Sequence, residues 1–204
     1  MNKIKTIALD LGGVFFSEGK KVASEVLYQK YGYDKEMILD LLNSPKSKDL
    51  RKGLITDEEF WLWATSKLPQ GYDVKIIKKE WYDGYILDEN ILNLVKKLKN
   101  KYKIIAFSGN IKSKVEYLDK KYHFRRYFDA EIYSYDHCFD KKEKKSFEIL
   151  TKETGNKYEE ILLIDDDEKH IGLAKELGMN AVIYQTGKIE KLEEALRSLG
   201  FLRN

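Results

Sequence analysis

The stretch from residue 6 to residue 14, which reads TIALDLGGV, constrains the fold of this chain more than any other. Its apolar run at residues 7–9 ends in one carboxylate, Asp10, and Gly12 and Gly13 follow. A short apolar run that ends in glycines is typical of a buried strand in a parallel sheet. Asp10 would then lie at the carboxyl end of the strand, where open α/β sheets bind ligands, as a nucleophile, a metal ligand or a helix cap.

Strands and helices alternate along the second part of the chain, from Asp88 onward. Apolar runs predict four further strands, at residues 103–108, 130–134, 160–165 and 181–184. The segments between them carry apolar residues three and four positions apart, which is the pattern of amphipathic helices. Because a pair of parallel strands needs a crossover connection, this alternation predicts a doubly wound α/β fold around a parallel sheet of five strands.

The segment between the first strand and this α/β part is helical in pattern. Residues 20–85 contain no convincing strand, and four amphipathic stripes indicate four helices there. We therefore expect a four-helix cap, residues 19–85, inserted into a core domain made of residues 1–18 and 86–204. Three tryptophans lie in this segment, and we assign them to the core of the helical bundle rather than to ligand stacking.

Polar residues stand at three further places where a strand or a loop leads into a helix. Ser108, Gly109 and Asn110 end the second strand, and a hydroxyl beside helix amides forms either a phosphate cradle or an ordinary N-cap. Three carboxylates at residues 165–167 end the fourth strand and repel one another unless a cation such as Mg²⁺ compensates, although one of them could simply cap a helix. Lys141 precedes a helix. Its charge either neutralises both a nucleophile and a phosphate, or it is an ordinary solvated lysine.

Along the chain, these polar residues come in the order aspartate, hydroxyl, lysine and aspartate pair. With this order, the sequence resembles the haloacid dehalogenase (HAD) superfamily over essentially the whole chain. The residues that carry the resemblance are Asp10, Ser108, Lys141 and the pair Asp165–Asp166. The inserted helices resemble the cap of a subgroup that includes bacterial glucose-1-phosphate phosphatase and the N-terminal domain of soluble epoxide hydrolase. The resemblance implies an HAD-like Rossmannoid core of three layers and the Mg²⁺-dependent hydrolysis of a small phosphate monoester, such as a sugar phosphate.

The resemblance also implies roles for individual residues. Asp10 is expected to attack phosphorus and form an aspartyl-phosphate, while Ser108 and Lys141 hold the phosphoryl oxygens. The metal ligands that it implies are the carboxylates of Asp10, Asp165 and Asp166 and the backbone carbonyl of Gly12. The substrate-binding residues that we expect are Ser108, Gly109, Asn110, Lys141, Glu18 and Arg51.

One position departs from the pattern of the superfamily's phosphatases. Two residues after the nucleophile they usually carry a second aspartate as general acid and base, but this chain has Gly12. Such acid–base help is typically worth about 10²–10⁴-fold in rate, and Glu18 or a water molecule is the expected substitute. Two alternatives stay open: a weakly active or inactive phospho-ligand-binding protein, and a metal-independent 2-haloacid dehalogenase, which also lacks that aspartate.

Composition bounds the remaining classes of function. With 37 basic and 34 acidic residues the net charge is only +3, which gives no basis for nucleic-acid binding. No apolar run approaches the roughly 20 residues that a membrane-spanning helix needs, and the N-terminus leaves no room for a signal peptide. Cys138 is the single cysteine, so we expect a reducing, cytoplasmic location. The expected partner is a small phosphate monoester, and the chain is expected to be a monomer or a homodimer.

Overall fold

A computed structural model describes residues 4–202 of the chain. Within this range five parallel strands form one sheet: β1 (Thr6–Leu9), β2 (Lys103–Ser108), β3 (Ala130–Tyr133), β4 (Ile161–Asp165) and β5 (Asn180–Ile183). The spatial order is β3-β2-β1-β4-β5, so the chain extends the sheet from β1 in both directions. The α/β class and the five-stranded parallel sheet predicted from the sequence are confirmed.

The carboxyl end of β1 lies level with the ends of its two neighbours. Leu9, the last residue of β1, pairs with Ala106 of β2 and with Ile164 of β4. Asp10, which directly follows β1, and Asp165, the last residue of β4, therefore lie at the same edge of the sheet. The winding of the chain also reverses at β1, and open α/β sheets bind ligands at such a switch point.

Five helices, rather than the four expected, occupy the segment from residue 19 to residue 85. They are α1 (Gly19–Tyr31), α2 (Lys35–Asn43), α3 (Pro45–Arg51), α4 (Asp57–Thr65) and α5 (Val74–Asp83). The additional helix is α3, whose seven residues are too few to show an amphipathic stripe in the sequence. It forms because Ser44 caps it, accepting the Ser47 amide at 3.2 Å, and because Pro45 occupies the first turn, where its missing N–H is not needed.

Residues 86–202 contain six more α-helices, α6 (Glu89–Leu98), α7 (Lys112–Tyr122), α8 (Ser134–His137), α9 (Lys144–Thr154), α10 (Glu168–Glu176) and α11 (Ile189–Ser198), and two short 3-10 helices. No helix within residues 4–202 is long and apolar enough to cross a membrane. Successive strand residues point to opposite faces of the sheet, so Leu9 joins one apolar cluster and Ala8 the other. The first cluster includes residues of α6, α7 and α11, and the second includes residues of α9 and α10. This arrangement confirms a core of three layers.

The three tryptophans lie among the helices of residues 19–85, as expected for the core of a bundle. Trp81 is fully buried and Trp61 nearly so, and their ring centroids are 6.1 Å apart. Trp63 is partly buried, with its ring 5.7 Å from that of Phe60. The same apolar cluster includes Ile7 of β1, so it continues from the helical segment into the sheet.

The chain passes between the core and the helical segment through two linkers that lie side by side. Ser17 donates its amide to the Ile86 carbonyl at 2.8 Å, and Asp88 donates its amide to the Phe15 carbonyl at 3.0 Å. These crossing points adjoin the boundaries predicted after residue 18 and before residue 86. The division into a core domain and a cap domain stays a prediction, which the pairing of the linkers supports.

Candidate active site

Asp10 begins the loop after β1, and backbone groups hold it at the edge of the sheet. The Leu11 amide donates to its Oδ1 at 2.7 Å, and the Asp10 amide donates to the Ile164 carbonyl at 3.0 Å. Gly13 then turns the chain with φ +81°, and a Cβ at this position would lie 2.0 Å from Oδ2 of Asp166. Glycine at position 13 therefore allows the loop to approach Asp166 this closely.

Lys141 lies between two of the predicted carboxylates. Its Nζ is 3.2 Å from Oδ2 of Asp10 and 2.5 Å from Oδ2 of Asp165, and the side chain is almost completely buried. The other oxygen of Asp165 accepts the Asp167 amide at 2.9 Å and lies 3.0 Å from Nδ1 of His170. Both oxygens of Asp165 are thus engaged, and this engagement fixes the position of Lys141.

These contacts shift the pKa values of the three buried groups in different directions. Burial raises the pKa of Asp10, although the attraction of Lys141 opposes it. Burial also acts to raise the pKa of Asp165, but Lys141 and His170 outweigh it and hold that pKa below its usual range. Burial alone would lower the pKa of Lys141, yet the two carboxylates raise it, so the lysine keeps its charge. Lys141 and Asp165 therefore form a stable ion pair, and the charge of Asp10 is the less compensated one.

Asp166 adds a third carboxylate to the same edge of the sheet. Burial, followed by repulsion from Asp10 and Asp165, raises the pKa of Asp166 to about 7. Neighbouring carboxylates with raised pKa values favour a bound cation, and carboxylate oxygens are ligands that Mg²⁺ prefers. Ligand atoms of Asp10, Asp165 and His170 lie within 4.8 Å of one another, but both oxygens of Asp165 are already engaged. Asp10 and Asp166 thus keep carboxylate oxygens that could bind Mg²⁺, and the metal-ligand roles of Asp10, Gly12, Asp165 and Asp166 all stay predictions.

The Ser108 hydroxyl reaches Asp10 from the end of β2. Burial is the main influence on the pKa of Asp10, and a hydrogen bond from Ser108 acts in the opposite direction. The next amides are used within the protein: Asn110 donates its N–H to Oγ of Ser134 at 3.0 Å, and Ile111 donates to Oδ1 of Asn110 at 2.9 Å. The phosphate cradle expected here therefore lacks the amides of residues 110 and 111, because the turn into α7 needs them, and the Ser108 hydroxyl and the Gly109 amide stay its predicted donors.

A cleft of about 690 Å³ lies at this edge of the sheet, between the strand ends and the helical segment. Nine of the ten predicted site residues line it, and the exception is Asp165, which is buried beneath them. Glu18 accepts a hydrogen bond from Lys21 at 2.6 Å, and the Arg51 carbonyl accepts one from Ser134 at 2.5 Å. The individual roles of the lining residues stay predictions for Asp10, Gly12, Glu18, Arg51, Ser108, Gly109, Asn110, Lys141 and Asp166.

Three further residues of this region are absent from the sequence-based prediction. The sequence does contain a signal for His170, because this residue follows Asp165 by only five positions. It lies in the first turn of α10, from which its side chain reaches Asp165 at the end of β4. Tyr85 gives no local signal, yet its ring lies 3.2 Å from the point where a Cβ on residue 12 would be. Tyr85 therefore fills the space that a second aspartate would need. The third residue, Lys114, looks in the sequence like any other lysine of a helix.

Comparisons with known proteins bear on the family and the fold of this chain. The family model for haloacid dehalogenase-like hydrolases matches residues 4–178. A protein of uncharacterised function from Dictyostelium discoideum is 42% identical over 227 residues, which span 97% of this chain and 98% of that protein.

Solved structures of two enzymes resemble this fold. A HAD family enzyme from Bacteroides thetaiotaomicron, in complex with magnesium, is 25% identical, with a TM-score of 0.78 over 91% of this chain and 96% of that one. Its complex with magnesium and inorganic phosphate gives 24% identity and a TM-score of 0.73 over the same shares. An L-2-haloacid dehalogenase from Xanthobacter autotrophicus with chloropropionic acid covalently bound is 16% identical, with a TM-score of 0.68 over 98% of this chain and 85% of that one. Because the family model matches most of its length, the chain belongs to the haloacid dehalogenase-like hydrolases.

Proposed function

We propose that this protein is a Mg²⁺-dependent phosphatase that hydrolyses a small phosphate monoester, a sugar phosphate or a similar molecule, through an aspartyl-phosphate. One observation supports the proposal most: Asp10, Lys141 and Asp166 lie close together at one edge of the sheet. The Ser108 hydroxyl is beside them. Attack on a phosphate needs a nucleophile and positive charge around the phosphoryl oxygens. The Bacteroides enzyme, whose structures contain magnesium and inorganic phosphate, supports the same reading.

Asp10 is the nucleophile in this mechanism. One of its carboxylate oxygens forms a bond to phosphorus, while the bond from phosphorus to the leaving oxygen of the substrate breaks. Lys141, which Asp165 keeps charged and in place, and the Ser108 hydroxyl hold the phosphoryl oxygens during this step. Water then attacks phosphorus in the aspartyl-phosphate, which releases inorganic phosphate and restores the carboxylate of Asp10.

Three groups of this chain would hold the metal ion: the carboxylates of Asp10 and Asp166 and the backbone carbonyl of Gly12. Mg²⁺ supplies positive charge that reduces the repulsion between the attacking carboxylate and the phosphate. Asp165 positions Lys141 and supports the site from beneath, since both of its oxygens are engaged by protein groups.

The leaving oxygen needs a proton, and Gly12 has no side chain to supply it. The Tyr85 hydroxyl lies 3.9 Å from the point where a Cβ on residue 12 would be, so it occupies the region from which a second aspartate would act. Burial raises the pKa of Tyr85 to about 12. The phenol is therefore protonated at neutral pH and has a proton to donate. The phenolate formed would recover a proton from the attacking water. Glu18, the substitute expected from the sequence, is hydrogen-bonded to Lys21, and we therefore assign proton donation to Tyr85.

The substitution Asp10→Asn tests the nucleophile, because it keeps the size of the side chain and removes its charge. We expect turnover of p-nitrophenyl phosphate with Mg²⁺ to fall by at least about 10³-fold. The matched control is Asp167→Asn, which changes a nearby carboxylate that caps α10, a role that asparagine also fills. Retained activity in Asp10→Asn would refute the assignment.

Two other functions each have an observation in their favour. The Xanthobacter dehalogenase shares the fold, and Gly12 matches the absence of the second aspartate, so a metal-independent 2-haloacid dehalogenase is one alternative. Halide release from 2-chloropropionate in EDTA would favour it. Gly12 also fits a weakly active or inactive phospho-ligand-binding protein, which phosphate binding with Mg²⁺ but without phosphate release would favour.

Location and assembly belong to the same proposal. We expect the protein in the cytoplasm, because its one cysteine, Cys138, is an exposed free thiol, which a reducing compartment preserves. We expect it to act as a monomer or a homodimer, because every group of the proposed site comes from one chain.

A further inference from the structure

The cleft carries a set of basic side chains in addition to Lys141, which we call the cationic wall: Lys20, Lys48, Arg51, Lys114 and Lys142. They come from α1, α3, α7 and the loop before α9, so the fold gathers them from four separate segments. Burial, followed by repulsion from Arg51, Lys48 and Lys142, lowers the pKa of Lys20 to about 7. The members of the wall are therefore close enough to repel one another.

Lys114 is the most informative member of the wall, because its amino group is buried without an ion-pair partner within residues 4–202, and this burial lowers its pKa. The side chain is 2% exposed, and within residues 4–202 its Nζ has neither a hydrogen bond nor a carboxylate partner. It lies 3.8 Å from the ring centroid of Tyr85 and 5.0 Å from that of Trp81. Burying an ammonium group in this way is unfavourable unless an anion joins it. A group of this kind that borders a cleft indicates a ligand that brings the anion.

The acidic side chains around the cleft do not balance the wall. Eight basic and five acidic side chains line the cleft, and two of the five acids belong to the proposed metal site. Of the others, Glu18 accepts a hydrogen bond from Lys21, and Asp167 lies 3.9 Å from Lys142. Asp140 attracts Arg51, although burial has the larger effect and lowers the pKa of that guanidinium. Lys52 and Lys141 also pair with Glu143 and Asp165, which do not line the cleft. Basic side chains still outnumber acidic ones at the cleft, and Lys114 makes no ion pair within residues 4–202.

We propose that the cationic wall binds a second anionic group of the substrate, a carboxylate or a second phosphate, while the first phosphate reacts at Asp10. This inference rests on the proposed phosphatase function and adds the class of substrate, namely phosphate monoesters that carry another anion. Lys114 and Arg51 are the principal contacts, because both side chains line the cleft, Lys114 being buried and Arg51 half-buried. Charge-assisted hydrogen bonds from these two side chains favour such substrates over phosphate monoesters of the same length that carry no second anionic group.

A matched series of substrates tests the proposal. The rate of phosphate release from ω-carboxyalkyl phosphates is compared with the rate from alkyl phosphates of the same chain lengths, with Mg²⁺ present. We expect kcat/KM to be about 10- to 100-fold higher for the carboxylated member at the best chain length, as one or two charge-assisted hydrogen bonds would give. Equal values at every chain length in the wild type would overturn the proposal.

Variants of two lysines on α7 assign the effect to the wall. Lys114→Met keeps the apolar part of the side chain and removes the charge, and we expect the ratio of the two kcat/KM values to fall close to one. Lys112→Met removes an exposed charge two positions earlier and should keep the wild-type ratio. If Lys114→Met fails to fold, Arg51→Gln takes its place, with the same expected loss. An unchanged ratio in a folded Lys114→Met or Arg51→Gln protein would contradict the proposal.

Binding measurements separate a failure of this inference from a failure of the proposed phosphatase activity. If neither series is hydrolysed, the phosphatase proposal fails, and titration calorimetry with the ω-carboxyalkyl phosphates still tests the wall. Binding at least about tenfold tighter to the wild type than to Lys114→Met would support the anion site without catalysis. Equal affinities would overturn it. Hydrolysis of both series at equal rates would leave the phosphatase intact and refute the wall alone.

Discussion

Replacing Asp166 by asparagine should make the metal-free protein more stable at pH 8, although it removes a proposed metal ligand. Burial and the neighbouring carboxylates of Asp10 and Asp165 raise the pKa of Asp166 to about 7. In the unfolded chain the same carboxyl titrates near its ordinary value of about 3.9. Between about pH 4 and pH 7 the folded protein therefore binds a proton that the unfolded chain does not bind, and stability falls as the pH rises through this window.

The difference between the two pKa values sets the size of the effect. About three pKa units at about 1.36 kcal/mol each give about 4 kcal/mol as an upper limit, and partial contact of Asp166 with solvent reduces this to about 2–4 kcal/mol. Asp166→Asn should raise the free energy of unfolding by this amount at pH 8, because asparagine carries no charge. At pH 5 the gain should be at most about 1.5 kcal/mol, since the folded wild type is then protonated at this position.

Thermal unfolding in EDTA at pH 5 and pH 8 measures this difference. At pH 8 the expected gain corresponds to a rise in melting temperature of about 4–16 °C for a protein of this size. Asp167→Asn serves as the control and should change the melting temperature little at either pH. Saturating Mg²⁺ should stabilise the wild type and reduce or reverse the difference. A variant that is no more stable at pH 8, or a gain that does not grow from pH 5 to pH 8, would refute the reasoning.

Three other substitutions test separate parts of the site. Lys141→Met should reduce turnover of aryl phosphates by at least about 10³-fold and lower the free energy of unfolding, measured in urea, by about 3–5 kcal/mol, because it leaves Asp165 buried without its partner. Tyr85→Phe should slow the hydrolysis of alkyl phosphates by about 10²-fold and that of p-nitrophenyl phosphate by much less, because nitrophenolate leaves without a proton. Equal losses on both substrates would contradict proton donation by Tyr85. Ser134→Ala should lower the free energy of unfolding by about 1–3 kcal/mol, because the Asn110 amide loses its buried acceptor; an unchanged urea midpoint would count against it.

The strand ends that hold the site could be predicted from the sequence. A strand buried on both faces reads as a continuous apolar run, and it stops where a polar residue begins. The run at residues 103–108 therefore locates β2 correctly, and Asp165 is the last residue of β4 as expected. Because parallel strands in register end at one edge, the order of polar residues along the chain was enough to predict that Asp10 and Asp165 lie together.

Side chains that reach the cleft through packing between distant segments could not be predicted. Lys112 and Lys114 occupy similar places in the local sequence, yet one is exposed and the other is buried against Tyr85. This difference depends on how α7 packs against the end of α5 and the residues that follow it. The ring of Tyr85 packs beside Gly12, where the missing side chain leaves space for it. These positions are 73 residues apart, so no local sequence pattern predicts the contact.

Trapping the covalent intermediate during turnover tests the central claim, that Asp10 attacks phosphorus, most directly. Borohydride added while the Mg²⁺-loaded enzyme hydrolyses p-nitrophenyl phosphate would reduce an aspartyl-phosphate to homoserine, and peptide mass spectrometry locates the change. We predict homoserine at position 10, only in the presence of substrate and absent from Asp10→Asn. Steady phosphate release with an unmodified Asp10, or with the modification at another carboxylate, would contradict the claim.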